Sequence, residues 1–102
     1  MTDRFCGMLG LAMRAGKVVI GSEQVAIALG KRQVLLVLYS EEASAASKKK
    51  IRVKCEFYQV RAIEVALSTA ELGRLLGKTY GPACVGIKDA GFAARIEELL
   101  RA

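Results

Sequence analysis

Residues 14–33 read RAGKVVIGSEQVAIALGKRQ. Val18, Val19 and Ile20 form a β-branched run suited to a short strand, Gly21 lets the backbone turn at any φ, and Ser22 can cap a helix starting near Glu23. That helix runs on to Gly30, so one stretch encodes strand, turn and helix. The open amides and the positive dipole end of such a helix face the turn and favour an anion. Lys17, Lys31 and Arg32 flank the unit and are expected to make a basic face bordering residues 21–24. The same residues also suit an ordinary strand-to-helix turn with solvated lysines.

On the N-terminal side, Phe5, Met8, Leu9 and Ala12 follow the i, i+3, i+4, i+7 stripe of an amphipathic helix that stops near Gly16. On the C-terminal side, residues 34–39, VLLVLY, are a continuous apolar run of strand length, expected to be buried on both faces in mid-sheet. Ser44 opens a helix over 45–55 carrying Lys48, Lys49, Lys50, Arg52 and Lys54, a run that reads as a solvated face. A short strand fits within 60–65. Ser68 and Glu71 have the spacing of a capping box and start a helix that reaches Leu76 and ends at Gly77. Residues 83–88 read as another buried strand, and Phe92, Ile96, Leu99 and Leu100 stripe a last helix. Helices interleaved with short apolar strands predict an α/β fold: a three-layer α/β/α sandwich around a roughly four-stranded mixed sheet, with parallel neighbours expected. Functional surface should gather where several turns leave one rim of that sheet.

With 102 residues and 53% hydrophobic content, the chain is expected to fold as a single domain over 1–102. Sixteen Lys and Arg against ten Asp and Glu give a charge of +6 with no histidine, so the basic excess holds throughout the physiological pH range. A small, basic globular domain points to nucleic acid. No apolar stretch approaches a membrane span, and the opening MTDRFCGMLGLAMRAGK lacks a signal-peptide pattern, so a cytoplasmic location and no membrane partner are expected. Cys6, Cys55 and Cys84 are too scattered for a disulfide framework or a zinc site and read as small core residues. Scattered acids, no histidine and no nucleophile–base pair point away from an enzyme, and no metal or cofactor is called for.

Residues 73–79, GRLLGKT, resemble a phosphate-binding P-loop but fail its spacing. That loop needs four residues between its glycines and a strand leading in; here three intervene, and a capped helix precedes. Residues 77–82, GKTYGP, read better as a helix end followed by an exposed loop, with Lys78 able to meet a phosphate and Tyr80 able to stack on a base. A tyrosine packed over the loop edge is the alternative.

Four segments in order, AGKVVIGSEQV at 15–25, KRQVLLVLYSEEAS at 31–44, STAELGRLLGK at 68–78 and CVGIKD at 84–89, resemble the kink-turn RNA-binding ribosomal protein superfamily, the L-seven-Ae and L-thirty-e group. SEEASAASKKKI at 40–51 and KDAGFAARIEELL at 88–100 resemble its small bacterial members, the YlxQ type, in particular. The resemblance covers nearly the whole chain and implies an α/β/α sandwich with non-catalytic RNA binding. It further implies that the head of the second helix meets the tandem sheared G·A pairs of a kink-turn, while a loop after the fourth helix covers an extruded nucleotide. By position, the family's Gly-x-Asn-Glu motif falls on Gly21, Ser22, Glu23 and Gln24, and the covering loop on Lys78, Thr79 and Tyr80. Glu23 stands in the place of the asparagine, Gln24 in that of the glutamate, and Ile27 in that of a lysine one turn further on. The expected partner is therefore a structured, kink-turn-like RNA, in association with the ribosome or translation, bound by a monomer. The alternative is a protein–protein adaptor on the same fold, with Ile27 turning an RNA face into a partner surface.

Overall fold

Leu36–Ser40 is the strand around which the remaining elements are arranged, because every one of its residues is buried. The computed structural model describes residues 2–101. Its elements are α1 (Asp3–Arg14), β1 (Val18–Ile20), α2 (Ser22–Gly30), β2 (Leu36–Ser40), α3 (Ala45–Phe57), β3 (Arg61–Val65), α4 (Thr69–Leu75), β4 (Cys84–Ile87) and α5 (Ala90–Arg101). The sheet order is β1-β4-β2-β3. β4 lies antiparallel to both β1 and β2, with Gly86 opposite Val19 and Val37, and β3 runs parallel to β2 from the Leu36–Arg61 pair to the Ser40–Val65 pair.

Strand alternation sends neighbouring residues of β2 to opposite faces. Leu36 and Leu38 pack with Phe5 and Leu9 of α1, Leu72 of α4 and Ile96 of α5. Val37 and Tyr39 pack with Val25, Ala28 and Leu29 of α2 and with Ile51 and Cys55 of α3. The result is the expected three-layer sandwich, with a separate core on each side of one sheet. Each fully buried Leu, Ile or Phe contributes roughly 1.5–3 kcal/mol.

The sheet is mixed, as expected, but β2–β3 is its one parallel pair of neighbours. The reason lies in α4, which at seven residues is only about 10 Å long. The loop after it doubles back along the helix, so β4 starts at the same rim of the sheet where β3 ends. The apolar run 34–39 also divides differently from the expectation. Leu35 donates its N–H to the Ile87 carbonyl at 2.8 Å, yet its side chain is 48% exposed, so the strand begins at Leu36. At the other end the strand takes in Ser40, whose burial is satisfied because its hydroxyl donates to the Leu67 carbonyl and accepts from the Glu42 N–H.

Helix ends follow their local chemistry. Ser44 accepts from the Ser47 N–H, and Ser68 and Glu71 form both halves of a capping box. α1 and α4 stop beside Gly16 and Gly77, both at φ 72. α3 runs two residues past the expected end at Cys55, since no breaker stands before Gln59. Among the described residues, no helix is long and apolar enough to cross a membrane.

Candidate nucleic-acid interface

Strand directions bring the end of β1, the end of β2, the end of β3 and the start of β4 to one rim of the sheet. That first rim therefore holds the head of α2, the loop 77–83 and the heads of α3 and α4. The helix cap differs from the expectation. Gly21, not Ser22, is the N-cap: at φ 95 and ψ 151 it reaches a conformation that a β-carbon disfavours, and Ser22 is already the first residue of α2. The Gly21 carbonyl accepts from the Val25 N–H at 2.9 Å, and no side chain caps the helix. The leading amides of α2 thus face the rim without a capping acceptor, beside the positive end of the helix dipole.

The 77–83 loop is tied to this helix head through Cys84. Gly21 donates its N–H to the Cys84 carbonyl at 2.9 Å, and the Cys84 thiol donates to the Ser22 hydroxyl at 3.7 Å. Burial pushes the Cys84 thiol above its ordinary range, opposed by the Ser22 contact, so the sulfur stays a neutral donor. The loop is held from beneath by two glycines. A β-carbon on Gly73 would collide with the Tyr80 carbonyl, and one on Gly81 would lie 2.8 Å from the Thr69 backbone. Lys78, Thr79 and Tyr80 all face solvent, with Tyr80 56% exposed rather than packed over the loop edge. Glu23, Gln24, Glu41 and Glu42 are exposed on or next to the same rim, so its charge is mixed.

Next to Ser22 and Glu23 a groove of about 860 Å³ opens between α2 and α3. Val25, Ala26, Leu29 and Ile51 line it, and Lys49, Lys50 and Lys54 stand along one wall. The lysine run of α3 is therefore not one uniform solvated face: Lys48 pairs with Glu64 at 3.2 Å, while three others flank the groove. Ile27 is 46% exposed and lies one turn beyond Glu23 on the same side of α2.

Lys17, Lys31 and Arg32 do not border residues 21–24. Lys17 precedes β1 whereas Gly21 follows it, and Lys31 and Arg32 lie at the far end of a nine-residue helix, ~13 Å long. All three sit on the second rim of the sheet, next to Lys88, whose N–H donates to the Lys17 carbonyl at 2.9 Å. Placing residues by their nearness in sequence failed here because a strand and a helix each carry the chain from one rim to the other.

A profile of the ribosomal protein L7Ae/L30e/S12e/Gadd45 family matches residues 3–97. The chain belongs to that family. Two relatives named RNA-binding protein YlxQ are similar over 93 residues, 91% of this chain: one from Enterococcus faecium at 37% identity, covering 87% of its length, and one from Bacillus subtilis (strain 168) at 41%, covering 91%. Among solved structures, a protein of unknown function from Bacillus halodurans superposes with a TM-score of 0.91 at 37% identity, over 99% of this chain and 100% of that one. A 15.5 kD RNA binding protein from Giardia lamblia shares the fold with a TM-score of 0.82 at 13% identity, over 99% of this chain and 91% of its own.

Within this L7Ae-family fold, Cys84, Gly73 and Gly81 position the site although none was assigned to it from sequence. Cys84 reads as a plain core residue, and no local pattern signals that its carbonyl meets Gly21. Gly73 carried a readable signal only as a glycine inside a helix with no turn to explain it, and Gly81 read as an ordinary loop glycine before Pro82.

Proposed function

We propose that this L7Ae-family chain acts as a single non-catalytic RNA-binding domain that recognises kink-turn or related structured RNA, as a cytoplasmic monomer associated with ribosomes or translation. The observation that carries this reading is the first rim: a glycine-capped helix head with unsatisfied amides, tied through Cys84 to a loop that presents Lys78 and an exposed Tyr80. Gly21, Ser22, Glu23 and Gln24 would meet the base pairs of the kink, and Lys78, Thr79 and Tyr80 the extruded nucleotide. Lys49 and Lys50 line the same groove as Glu23 and offer cations there. The names of the relatives from Enterococcus faecium and Bacillus subtilis support RNA as the ligand class.

A second reading, a protein–protein adaptor, is favoured by the apolar groove between α2 and α3 and by the separately exposed Ile27. Titrating labelled kink-turn RNA and an unkinked duplex at two salt concentrations separates the two. Tighter binding to the kink-turn at both salts supports the proposal. Equal binding to both RNAs removes the kink-turn specificity, and absence of binding to either hands the rim to the adaptor reading.

A further inference from the structure

The second rim carries features that the kink-turn reading leaves unused. Lys17 and Lys88 are neighbours there across the start of β1 and the end of β4, and Lys31 and Arg32 stand beside them at the end of α2. All four are exposed, and among the described residues none of them forms an ion pair. Asp89, adjacent to Lys88, is engaged at the head of α5, where it accepts from the Phe92 N–H at 2.9 Å. Arg32 lies with its guanidinium carbon 5.9 Å from the centre of the Tyr58 ring, and Tyr58 meets the Phe57 ring edge-to-face at 4.9 Å. Phe57 is 77% exposed, more than any other large hydrophobic side chain of the described residues. Cations and two aromatic rings thus form one continuous strip.

The backbone at this strip is strained in a way the ends of α1 and α4 avoid. α1 and α4 place a glycine in the left-handed position after their last turn. α2 and α3 place Arg32 at φ 56 and Gln59 at φ 57 instead. A residue with a β-carbon is disfavoured in that region, and such strain gathers where a side chain has work to do. Arg32 keeps its guanidinium over Tyr58 at the expense of a glycine that would relax the turn.

We propose that this strip is a second RNA site that holds single-stranded RNA, with the four cations on phosphates and Phe57, next to the Arg32–Tyr58 pair, as a stacking platform for bases. Alternating charge and stacking surface is what single strands require, whereas a duplex has no open base faces to offer Phe57. The proposal rests on the reading of the chain as an RNA binder and adds a second segment of RNA to it. The molecule measures 31 × 27 × 25 Å, so a strand leaving an RNA seated at the first rim meets the second after one molecular length.

The test uses a fluorescein-labelled oligouridylate of about 12 nucleotides, a size such sites accommodate, read by anisotropy with a tail-less kink-turn RNA in parallel. The double variant Lys17→Glu/Lys88→Glu should weaken oligouridylate binding about tenfold or more and flatten its salt dependence. Phe57→Ser should weaken it several-fold with the salt dependence unchanged. Arg32→Gly should weaken it while keeping or raising the melting temperature, which a purely structural arginine would lower. None of these should move binding of the tail-less kink-turn RNA, and Tyr80→Ala should do the reverse. Oligouridylate binding that is absent in the wild type, or indifferent to all three variants, overturns the second site. Failure of the kink-turn RNA alone overturns the first-rim reading and leaves the oligouridylate result to stand on its own.

Discussion

The carbonyl of Tyr80 sits directly over the α-carbon of Gly73, in the space a β-carbon would need. This contact folds the 77–83 loop back onto α4, sends β4 into the sheet antiparallel to β2, and leaves the Tyr80 ring in solvent at the first rim. Gly73→Ala should therefore displace the loop, costing about 1–3 kcal/mol as overpacked sites do. Thermal unfolding measures that cost, and the same variant should lose kink-turn RNA binding beyond what Tyr80→Ala loses. Unchanged melting temperature and binding would show that the loop is not held by Gly73.

Glu23 at the first turn of α2 complements the helix dipole but opposes an approaching phosphate. Glu23→Asn should strengthen kink-turn binding by roughly 1 kcal/mol, the size of one recovered neutral hydrogen bond. Adding Ile27→Lys should strengthen it again with a steeper salt dependence, since Ile27 is exposed on the same side. Weaker binding by Glu23→Asn, measured by the same titration, would mean that the carboxylate itself reads a base.

The carboxylate of Glu71 is fully exposed, yet it accepts from the Ser68 N–H at 2.9 Å, and that bond holds it below its ordinary value of 4.5. A lowered folded value means that the contribution is fully present above 4.5 and is lost as the pH falls through the lower, folded one. Protection of the Ser68 amide, measured relative to its intrinsic exchange rate, should accordingly fall in that acid window, with the head of α4 fraying before the sheet. Glu71→Gln should abolish this pH dependence. Protection at Ser68 that stays level across the window would remove the carboxylate from the cap.

Burial pushes the Cys55 thiol up to about 11, with Cys84 nearby adding to the shift, and burial also raises Cys84. The neutral form of Cys55 stabilises the fold fully below the ordinary value of 9.0, and that contribution fades as the pH rises from there toward 11; Cys84 acts in the same direction. At neutral pH iodoacetamide should modify only the half-buried Cys6, leaving Cys55 and Cys84 protected until the protein unfolds. Peptide mass mapping checks this, and equal labelling of all three would show that the α2–α3 side of the core opens readily.

Elements whose signals are local were legible in the sequence. The stripe of α1, the capping box at Ser68 and Glu71, the Ser44 cap and the apolar run of β2 each depend on residues within a turn or two of one another. Interleaved helices and apolar strands also set the layered architecture and the mixed sheet. Family resemblance added residues 21–24 and 78–80 as a pair, although nothing in the spacing of the chain joins them. Mistakes fell where one residue had two local roles available: Ser22 had the chemistry of a cap, but Gly21 before it could adopt the positive φ the cap needed.

Local order along the chain, the basic excess and the absence of histidine were thus properties of the sequence by itself. Which rim each side chain occupies was decided only by the tertiary structure. Lys17 and Gly21 are near neighbours in sequence and stand at opposite ends of β1, whereas Gly21 and Cys84 are distant in sequence and share a hydrogen bond. A strand or helix carries its two ends apart by its own length, and only pairing within the sheet sets which ends meet.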